Sequence, residues 1–236
     1  MRQVLVDFYW QNGYAVVEDF LRSDECEQAL REAERLEVLH RDEKGVGFLM
    51  NPHRESEIFL RLLRHPEMIK ALESLQQSKI HGLQTMLFFK PPGSSGRDFH
   101  QDNFYAKADP DAYISAWVAL EDADEENGGL IVFPKSHREP ILGIAEDQGS
   151  KTIDPEKLEY DRGVTCKVPL GYKMKTLPTR AGTAVFIHGH LIHGSEHNRS
   201  RTRFRRALLS TYIKQGFPFN PGTHAKRKII DVYSVE

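Results

Sequence analysis

A His-x-Asp pair near the middle of the chain and a cluster of histidines near its end are the residues best suited to chemistry. His100 and Asp102 are two positions apart, and side chains at that spacing project to the same side of a β-strand. A later imidazole such as His193, 91 residues after Asp102 (193 − 102), would complete a set of two histidines and one carboxylate. This set leaves three metal coordination positions open and is typical of non-haem Fe(II) sites. The first hypothesis is therefore oxidative chemistry at a metal ion.

Spacing alone does not identify the second histidine. The late cluster contains His188, His190, His193 and His197. Strand alternation puts His188 and His190 on one face, and it predicts that a turn begins near His193. A His-x-Asp pair also arises by chance in many chains, so a surface pair without a metal remains an alternative at this point.

Composition limits the class of protein. The chain has 236 residues, 39% of them hydrophobic, which suits one large domain with a sizeable core. Its formal net charge of −2 gives no reason to expect nucleic acid or an anionic membrane as a partner. The two cysteines, Cys26 and Cys166, form no C-x-x-C motif, which suits a reducing compartment. No signal peptide or membrane-spanning run is recognisable, so we expect a soluble, cytoplasmic protein.

The order of predicted elements favours one domain over residues 1–236. Residues 1–79 are expected to be a mostly helical front, with helices near 23–36 and 54–75 and a break at His65-Pro66. Residues 80–236 are expected to form a β-rich core, with an insert or lid at 138–180. The predicted strands cover residues 14–17, 84–90, 113–120, 129–133, 183–188 and 207–213.

Several short blocks occur in one order along this chain and carry a family resemblance. They are Phe-His-Gln-Asp at 99–102, Ala-Trp-Val-Ala-Leu at 116–120, Glu-Asn-Gly-Gly-Leu at 126–130, Pro-Lys-Ser-His at 134–137, Ala-Gly-Thr at 181–183, and His-Gly-Ser-Glu-His-Asn at 193–198 with Arg-Arg-Ala-Leu at 205–208. Together with residues 13–21, they resemble the phytanoyl-CoA dioxygenase family of Fe(II)/2-oxoglutarate-dependent oxygenases.

The resemblance implies a fold, a metal site and a reaction. The fold would be mainly β with flanking helices, a double-stranded β-helix or jelly roll. The ligands of Fe(II) would be His100, Asp102 and His193. The co-substrates would be 2-oxoglutarate and O2, and an unactivated C–H bond of a small molecule would be hydroxylated with release of succinate and CO2. The oligomeric state is left open.

The resemblance also implies contacts to 2-oxoglutarate. Arg205 would pair with its distal carboxylate, a role that suits the planar and always-charged guanidinium. Arg203 and Arg206 remain alternatives, because the spacing from His193 is one residue longer than usual. Ser195, Trp117 and Met86 would line the same pocket.

The substrate is not identified by the sequence. Gln101, Asn103 and Tyr105 follow the metal strand and are candidates to face it. Asp102 distinguishes the chain from halogenating relatives, which lack a carboxylate there, so the resemblance implies a hydroxylase. Two other classes remain as rivals: a barrel metalloenzyme that uses the same ligands for hydrolysis or isomerisation, and a binding or sensing protein without oxygenase activity.

Overall fold

The fold was taken from a computed structural model that describes residues 2–40, 47–143 and 166–234. Five α-helices occur in this part of the chain: α1 (Gln3–Asn12), α2 (Ser23–His40), α3 (Glu57–Leu63), α4 (Pro66–Gln76) and α5 (Asn103–Ala106). The predicted break at His65 is confirmed. Pro66 is the first residue of α4, and His65 before it has a non-helical ψ of 125°, as expected for a residue that precedes proline.

Ten β-strands follow the helices or alternate with them in the described residues. They are β1 (Tyr14–Val17), β2 (Phe48–Met50), β3 (Ile80–Phe88), β4 (Arg97–His100), β5 (Tyr113–Ala119), β6 (Leu130–Val132), β7 (Lys175–Leu177), β8 (Ala184–His188), β9 (His193–Ser195) and β10 (Ala207–Lys214). They form a major sheet of order β1-β8-β5-β10-β3-β2 and a minor sheet of order β4-β9-β6-β7. All strand pairs are antiparallel.

The two sheets pack face to face. Trp117 and Val185 of the major sheet share a buried apolar cluster with Leu130, Val132 and Leu177 of the minor sheet. Alternation along each strand explains this, because the same face of a strand recurs every second residue. The arrangement confirms the double-stranded β-helix that the sequence predicted.

The helices cover the outer face of the major sheet. Ala116, Phe186, Leu208 and Tyr212 point outward from it and pack with apolar residues of α1 to α4 in the largest buried cluster. Tyr212 also donates a 3.0 Å hydrogen bond from its hydroxyl to the carbonyl of Leu63, at the end of α3. This packing buries the outer face of the major sheet, so the inner face is the one left to carry a site.

The segment predicted as an insert, 138–180, is not wholly outside the barrel. Lys175–Leu177 forms β7 and pairs with β6 in the minor sheet, so the end of the segment is barrel wall. The prediction missed it because three residues between Met174 and Pro178 are too few to give a strand pattern. Residues 144–165 of this segment lie outside the described residues. In the described part of the chain, no helix has the length and apolar character to cross a membrane.

Candidate metal centre and its cavity

Strand pairing in the minor sheet brings the two imidazoles together. His100, the last residue of β4, stands directly opposite His193, the first residue of β9. Asp102 lies past the end of β4, with φ −58° and ψ −34°, where α5 is about to begin. The expectation that His100 and Asp102 share a strand face is therefore wrong: the chain turns after His100. One ligand atom from each of the three side chains lies within 4.8 Å of the others.

Backbone carbonyls fix the orientation of both imidazoles. His100 Nδ1 lies 2.7 Å from the carbonyl oxygen of Asp98, and His193 Nδ1 lies 2.9 Å from that of Leu191. A carbonyl only accepts, so each Nδ1 carries the hydrogen and each Nε2 keeps its lone pair. Both Nε2 atoms face Asp102 Oδ1, at 3.4 Å for His100 and 3.6 Å for His193. Metal-binding histidines are usually held in this way.

The third ligand is held by a serine from the major sheet. Ser115 of β5 donates a 2.6 Å hydrogen bond from its hydroxyl to Asp102 Oδ2, which leaves Oδ1 for the imidazoles. Burial works to raise the pKa of Asp102, but the electrostatic influence of the two neighbouring imidazoles and the hydrogen bond from Ser115 outweigh it and keep this pKa below its ordinary range. Burial and the neighbouring His193 lower the pKa of His100 to about 4. At neutral pH the site is thus a carboxylate with a neutral His100, the protonation states that a metal ion requires.

The other late histidines are engaged elsewhere. His188 Nδ1 accepts a hydrogen bond from the backbone N–H of His190, and its Nε2 lies 3.2 Å from Asp111 Oδ1. His190 uses both ring nitrogens, with Glu139 O at 3.0 Å and Asn103 Nδ2 at 3.0 Å. The turn after β8 lies before His193 and not after it, since His193 already belongs to β9. His193 is therefore the only late histidine that the described structure brings to His100 and Asp102.

The three candidate arginines have different surroundings. Arg203 binds Asp124 and Glu126 with N–O distances of 2.6 to 2.9 Å, and Arg206 binds Glu121 at 2.9 Å. These two are therefore ion-paired within the fold.

Arg205 is 2% exposed and has no carboxylate partner among the described residues. Its Nε donates to the carbonyl of Gly128 at 3.0 Å, and its guanidinium carbon lies 5.7 Å and 5.8 Å from the ring centroids of Phe88 and Trp117. Burial lowers the pKa of Arg205 to about 10, so the side chain remains charged at neutral pH. A buried cation without a counter-ion is costly unless a ligand supplies the negative charge.

One cavity of about 880 Å³ connects the metal site with Arg205. The predicted pocket residues Ser195, Trp117 and Met86 all line it, as does Tyr105. Met86 and Trp117 flank Leu209 on neighbouring strands of the major sheet, which explains why they share a wall.

Gln101 and Asn103 do not line this cavity, contrary to the expectation. Gln101 is bound on both ends of its amide, by the carbonyls of Pro140 and His190 and by the N–H of Leu142. Asn103 closes the turn after α5 through Ala108. The turn at Asp102 directs both amides away from the metal, so they hold loops instead of facing a substrate.

Sequence reasoning missed Ser115, which holds Asp102, and several residues that line the cavity. Ser115 was within a predicted strand, two residues from Trp117 on the same face, and that alternation was the available signal. The missed residues that line the cavity are Arg97, Tyr113 and Arg227. No sequence pattern indicated Arg227, because it lies in an irregular segment near the end of the chain.

Comparison with known proteins identifies the family. The sequence profile described as "Phytanoyl-CoA dioxygenase (PhyH)" matches residues 9–207. The chain belongs to the phytanoyl-CoA dioxygenase family. Among curated members, it is 30% identical to the bovine peroxisomal phytanoyl-CoA dioxygenase over 85% of this chain and 65% of that protein. Phytanoyl-CoA dioxygenase 1 of rice is 28% identical over 97% of this chain and 76% of the relative. The chain thus spans about two thirds of the bovine protein's length.

Solved structures of this fold are also similar. The α-ketoglutarate-dependent epimerase SnoN from nogalamycin biosynthesis has a TM-score of 0.73 at 24% identity, over 93% of this chain and 83% of SnoN. EctD from S. alaskensis, solved with 2-oxoglutarate and 5-hydroxyectoine, has a TM-score of 0.71 at 19% identity, over 91% of this chain and 76% of EctD. At these identities the likeness establishes the shared fold.

Proposed function

We propose that this member of the family is an Fe(II)- and 2-oxoglutarate-dependent dioxygenase. It hydroxylates an unactivated C–H bond of a small molecule and releases succinate and CO2. The observation that carries the proposal is that one cavity contains both a His-Asp-His metal set and a buried, charged arginine that has no counter-ion among the described residues. Binding of 2-oxoglutarate needs both features, because the metal holds the keto acid end and the arginine binds the distal carboxylate.

The donor set fits Fe(II). Both imidazoles present Nε2 because their Nδ1 hydrogens are bound to carbonyls, and Ser115 directs one oxygen of Asp102 toward them. Three protein ligands on one side leave room for a bidentate 2-oxoglutarate and for O2. Bound iron would supply the activation of oxygen, which no side chain of the protein provides.

The protein's own part is to bind and orient 2-oxoglutarate. Arg205 offers its two terminal nitrogens to a carboxylate, since only its Nε is used by Gly128. Ser195 Oγ accepts the backbone N–H of Arg97 at 3.0 Å, so its own hydrogen is directed to another acceptor, the co-substrate carboxylate. Trp117 and Met86 supply the apolar walls that keep water from this end of the cavity.

Hydroxylation is the outcome we favour. Asp102 occupies the position that halogenating relatives leave without a carboxylate, so its presence argues against halogenation. The epimerase SnoN and the carbocyclase SnoK have the same fold, and product analysis must separate these outcomes. A zinc hydrolase would use similar ligands, but it gives no role to the buried guanidinium of Arg205 in the same cavity. A binding protein without activity has no need of either feature.

The test combines a spectrum with a product. Anaerobic addition of Fe(II) and 2-oxoglutarate should give a weak visible charge-transfer band, and air should then release succinate. Asp102→Ala should abolish both signals, whereas Arg203→Met, at an ion pair outside the metal site, should keep the band. Wild-type protein that forms neither band nor succinate would refute the proposal, and hydrolysis supported by zinc would favour the rival.

The partner we propose is a small-molecule substrate, and neither nucleic acid nor a membrane is part of the proposal. A cytoplasmic location stays a prediction. Curated relatives from cattle, rat and mouse are named as peroxisomal, so localisation of the tagged full-length protein is the measurement that decides the compartment.

A further inference from the structure

The far end of the cavity carries a second group of polar side chains, beyond the part assigned to 2-oxoglutarate. Leu209 and Thr211 of β10 line the cavity, as does Arg205 just before this strand. At about 3.3 Å per residue, Thr211 is roughly 20 Å along the chain from Arg205. Thr211 stands opposite Gln84 on one side and Ser115 on the other. The cavity therefore reaches the level of Ser115, the residue that holds the metal ligand Asp102.

Two arginine–tyrosine pairs also line the cavity, and we call Arg97, Tyr105, Tyr113 and Arg227 the arginine–tyrosine wall. Arg97 stands opposite Ser195, so the wall begins beside the part assigned to 2-oxoglutarate. Arg97 donates from its guanidinium to the Tyr105 hydroxyl at 3.4 Å, and the ring of Tyr105 lies 6.3 Å from the ring of His100. Tyr113 is two residues before Ser115, and its hydroxyl lies in hydrogen-bonding range of the Arg227 guanidinium. The wall is thus next to the metal set.

We propose that the arginine–tyrosine wall binds a carboxylate of the substrate, and that the amide oxygen of Gln84 accepts a hydrogen bond from an N–H or O–H group of the same molecule. This inference rests on the proposed function, because it assigns the substrate class of that site. The substrate would be a small carboxylic acid that also carries a hydrogen-bond donor, such as an acylated amino acid.

The charges in the cavity favour an anion. Iron (2+), Asp102 (1−), 2-oxoglutarate (2−) and Arg205 (1+) sum to zero. Glu196 has Arg199 as an ion-pair partner at 4.0 Å. Arg97, by contrast, has no carboxylate within ion-pair distance in the described part of the chain, and Arg227 is only 6% exposed. Asp98 (1−) and Lys90 also line the cavity, and burial lowers the pKa of Lys90 to about 7. Arg97 and Arg227 (2+) together with Asp98 (1−) therefore leave the loaded site with an excess of about one positive charge even if Lys90 is neutral, which a substrate carboxylate offsets.

Gln84 adds an independent observation. It is 3% exposed and lines the cavity, and its amide oxygen is buried with no hydrogen-bond partner among the described residues. Buried acceptors without partners are uncommon in native proteins and call for a ligand or another donor. A hydrogen-bond donor on the substrate would bind this oxygen while the substrate carboxylate forms ion pairs with Arg97 and Arg227.

Arg227 is held in place by backbone contacts. Its N–H donates to the carbonyl of Pro221 at 2.8 Å, and its guanidinium donates to that of Asn220 at 3.4 Å. It lies beyond residues 9–207, the span that the family profile matches. This residue is thus a candidate for specificity within the family and not for the shared chemistry.

The experiment uses matched acid and amide probes on the full-length protein. N-acetyl amino acids with small, branched and aromatic side chains are titrated against the anaerobic complex with Fe(II) and saturating 2-oxoglutarate, alongside their N-acetyl amino acid amides. We expect acids to shift the visible band and to bind at least about tenfold more tightly than their amides, the effect of one charge-assisted contact. Equal responses to acids and amides, no response to any acid, or acids that only diminish the band would overturn the carboxylate assignment. A wild-type protein without the band would overturn the proposed function as well.

Variants test whether Arg227 and Arg97 cause the preference for acids over amides. Arg227→Met should reduce the preference for acids about tenfold, and Arg227→Lys should retain part of it. The matched control is Arg54→Met, because Arg54 donates to the neighbouring carbonyl of Lys226 at 2.6 Å but is exposed outside the cavity. If Arg227→Met lowers the melting temperature, Arg97→Met tests the same wall from the minor sheet. A preference for acids that survives in both Arg97→Met and Arg227→Met would overturn the assignment.

Discussion

Ser115 and Asp102 are joined by a 2.6 Å hydrogen bond that runs from the major sheet to the metal set. Asp102 lies on a turn after a strand of four residues, whereas Ser115 lies in the centre of a fully buried strand. The buried strand of the major sheet therefore sets which carboxylate oxygen faces the imidazoles. This bond makes Ser115 a positioning residue for the metal.

Loss of the Ser115 hydroxyl should weaken metal binding. Ser115→Ala is expected to lower Fe(II) affinity about tenfold, within the range found for such supporting contacts, while the fold is kept. Anaerobic titration of the metal measures this. Ser210→Ala is the matched control, since Ser210 is equally buried on the adjacent β10 but faces away from Asp102. Equal affinities for the two variants would contradict the assigned role.

Arg205 should govern the affinity for 2-oxoglutarate. Arg205→Met is expected to raise the KM for 2-oxoglutarate by about 10- to 100-fold, because a buried charge-assisted contact is lost. Arg203→Met breaks the pair with Asp124 and should leave this KM unchanged. Succinate formation at varied 2-oxoglutarate gives both values. An unchanged KM in Arg205→Met, with an increase in Arg203→Met, would move the anchor to Arg203.

Metal binding should stabilise the folded chain through the triad. Saturation with Fe(II) at 100 times its Kd is expected to add about 2.7 kcal/mol to the free energy of unfolding. Asp102→Ala should remove this gain, since the two imidazoles alone bind weakly. Anaerobic thermal unfolding with and without metal measures the difference. A similar metal-induced rise in Asp102→Ala would show that the ion binds elsewhere.

Stability should fall as the pH is lowered from about 6.5 toward 4. Burial, with a smaller contribution from Arg54, lowers the pKa of His53 to about 4, below its value of about 6.5 in unfolded chains. The unfolded state therefore binds the proton first, and stability is lost as pH falls through this window. His137 acts in the same direction, also with a pKa of about 4 caused by burial and by His188.

Denaturant unfolding between pH 7.5 and 4.5 tests this dependence. His53→Gln should reduce the slope of stability against pH, because the buried base is removed. His197→Gln, at an exposed position, should leave the slope as in the wild type. A wild-type midpoint that stays constant or rises toward acid pH would be inconsistent with neutral buried histidines.

The strands of the major sheet were largely predictable from the sequence. Residues 113–120 and 207–213 alternate over enough positions to signal strands, and the structure has them at Tyr113–Ala119 and Ala207–Lys214. The minor sheet was less visible. Strands β4 and β9 have four and three residues and carry polar side chains and Gly194, so neither hydrophobic pattern nor length distinguishes them from loops.

The metal set was predictable from residue types and family blocks, but its geometry was not. Strand periodicity wrongly put Asp102 on the face of His100, because the helical backbone at Asp102 is set by α5 and by Ser115. Strand periodicity also left Arg203, Arg205 and Arg206 as alternative partners for the distal carboxylate of 2-oxoglutarate. Only the acidic neighbours of Arg203 and Arg206, which come from distant parts of the chain, separate them from Arg205.

The direct pairing of His100 with His193 means that a bound ion would act as a cross-link. It would join β4 to β9 across 93 positions of chain (193 − 100). The minor sheet has strands of only three or four residues, so its ladder has few hydrogen bonds of its own. Local opening of the metal-free protein would begin in this sheet, since short ladders have the lowest free energy of opening. The iron that serves catalysis would thus also fasten the thinner wall of the barrel, and its loss would loosen the active site before the rest of the fold.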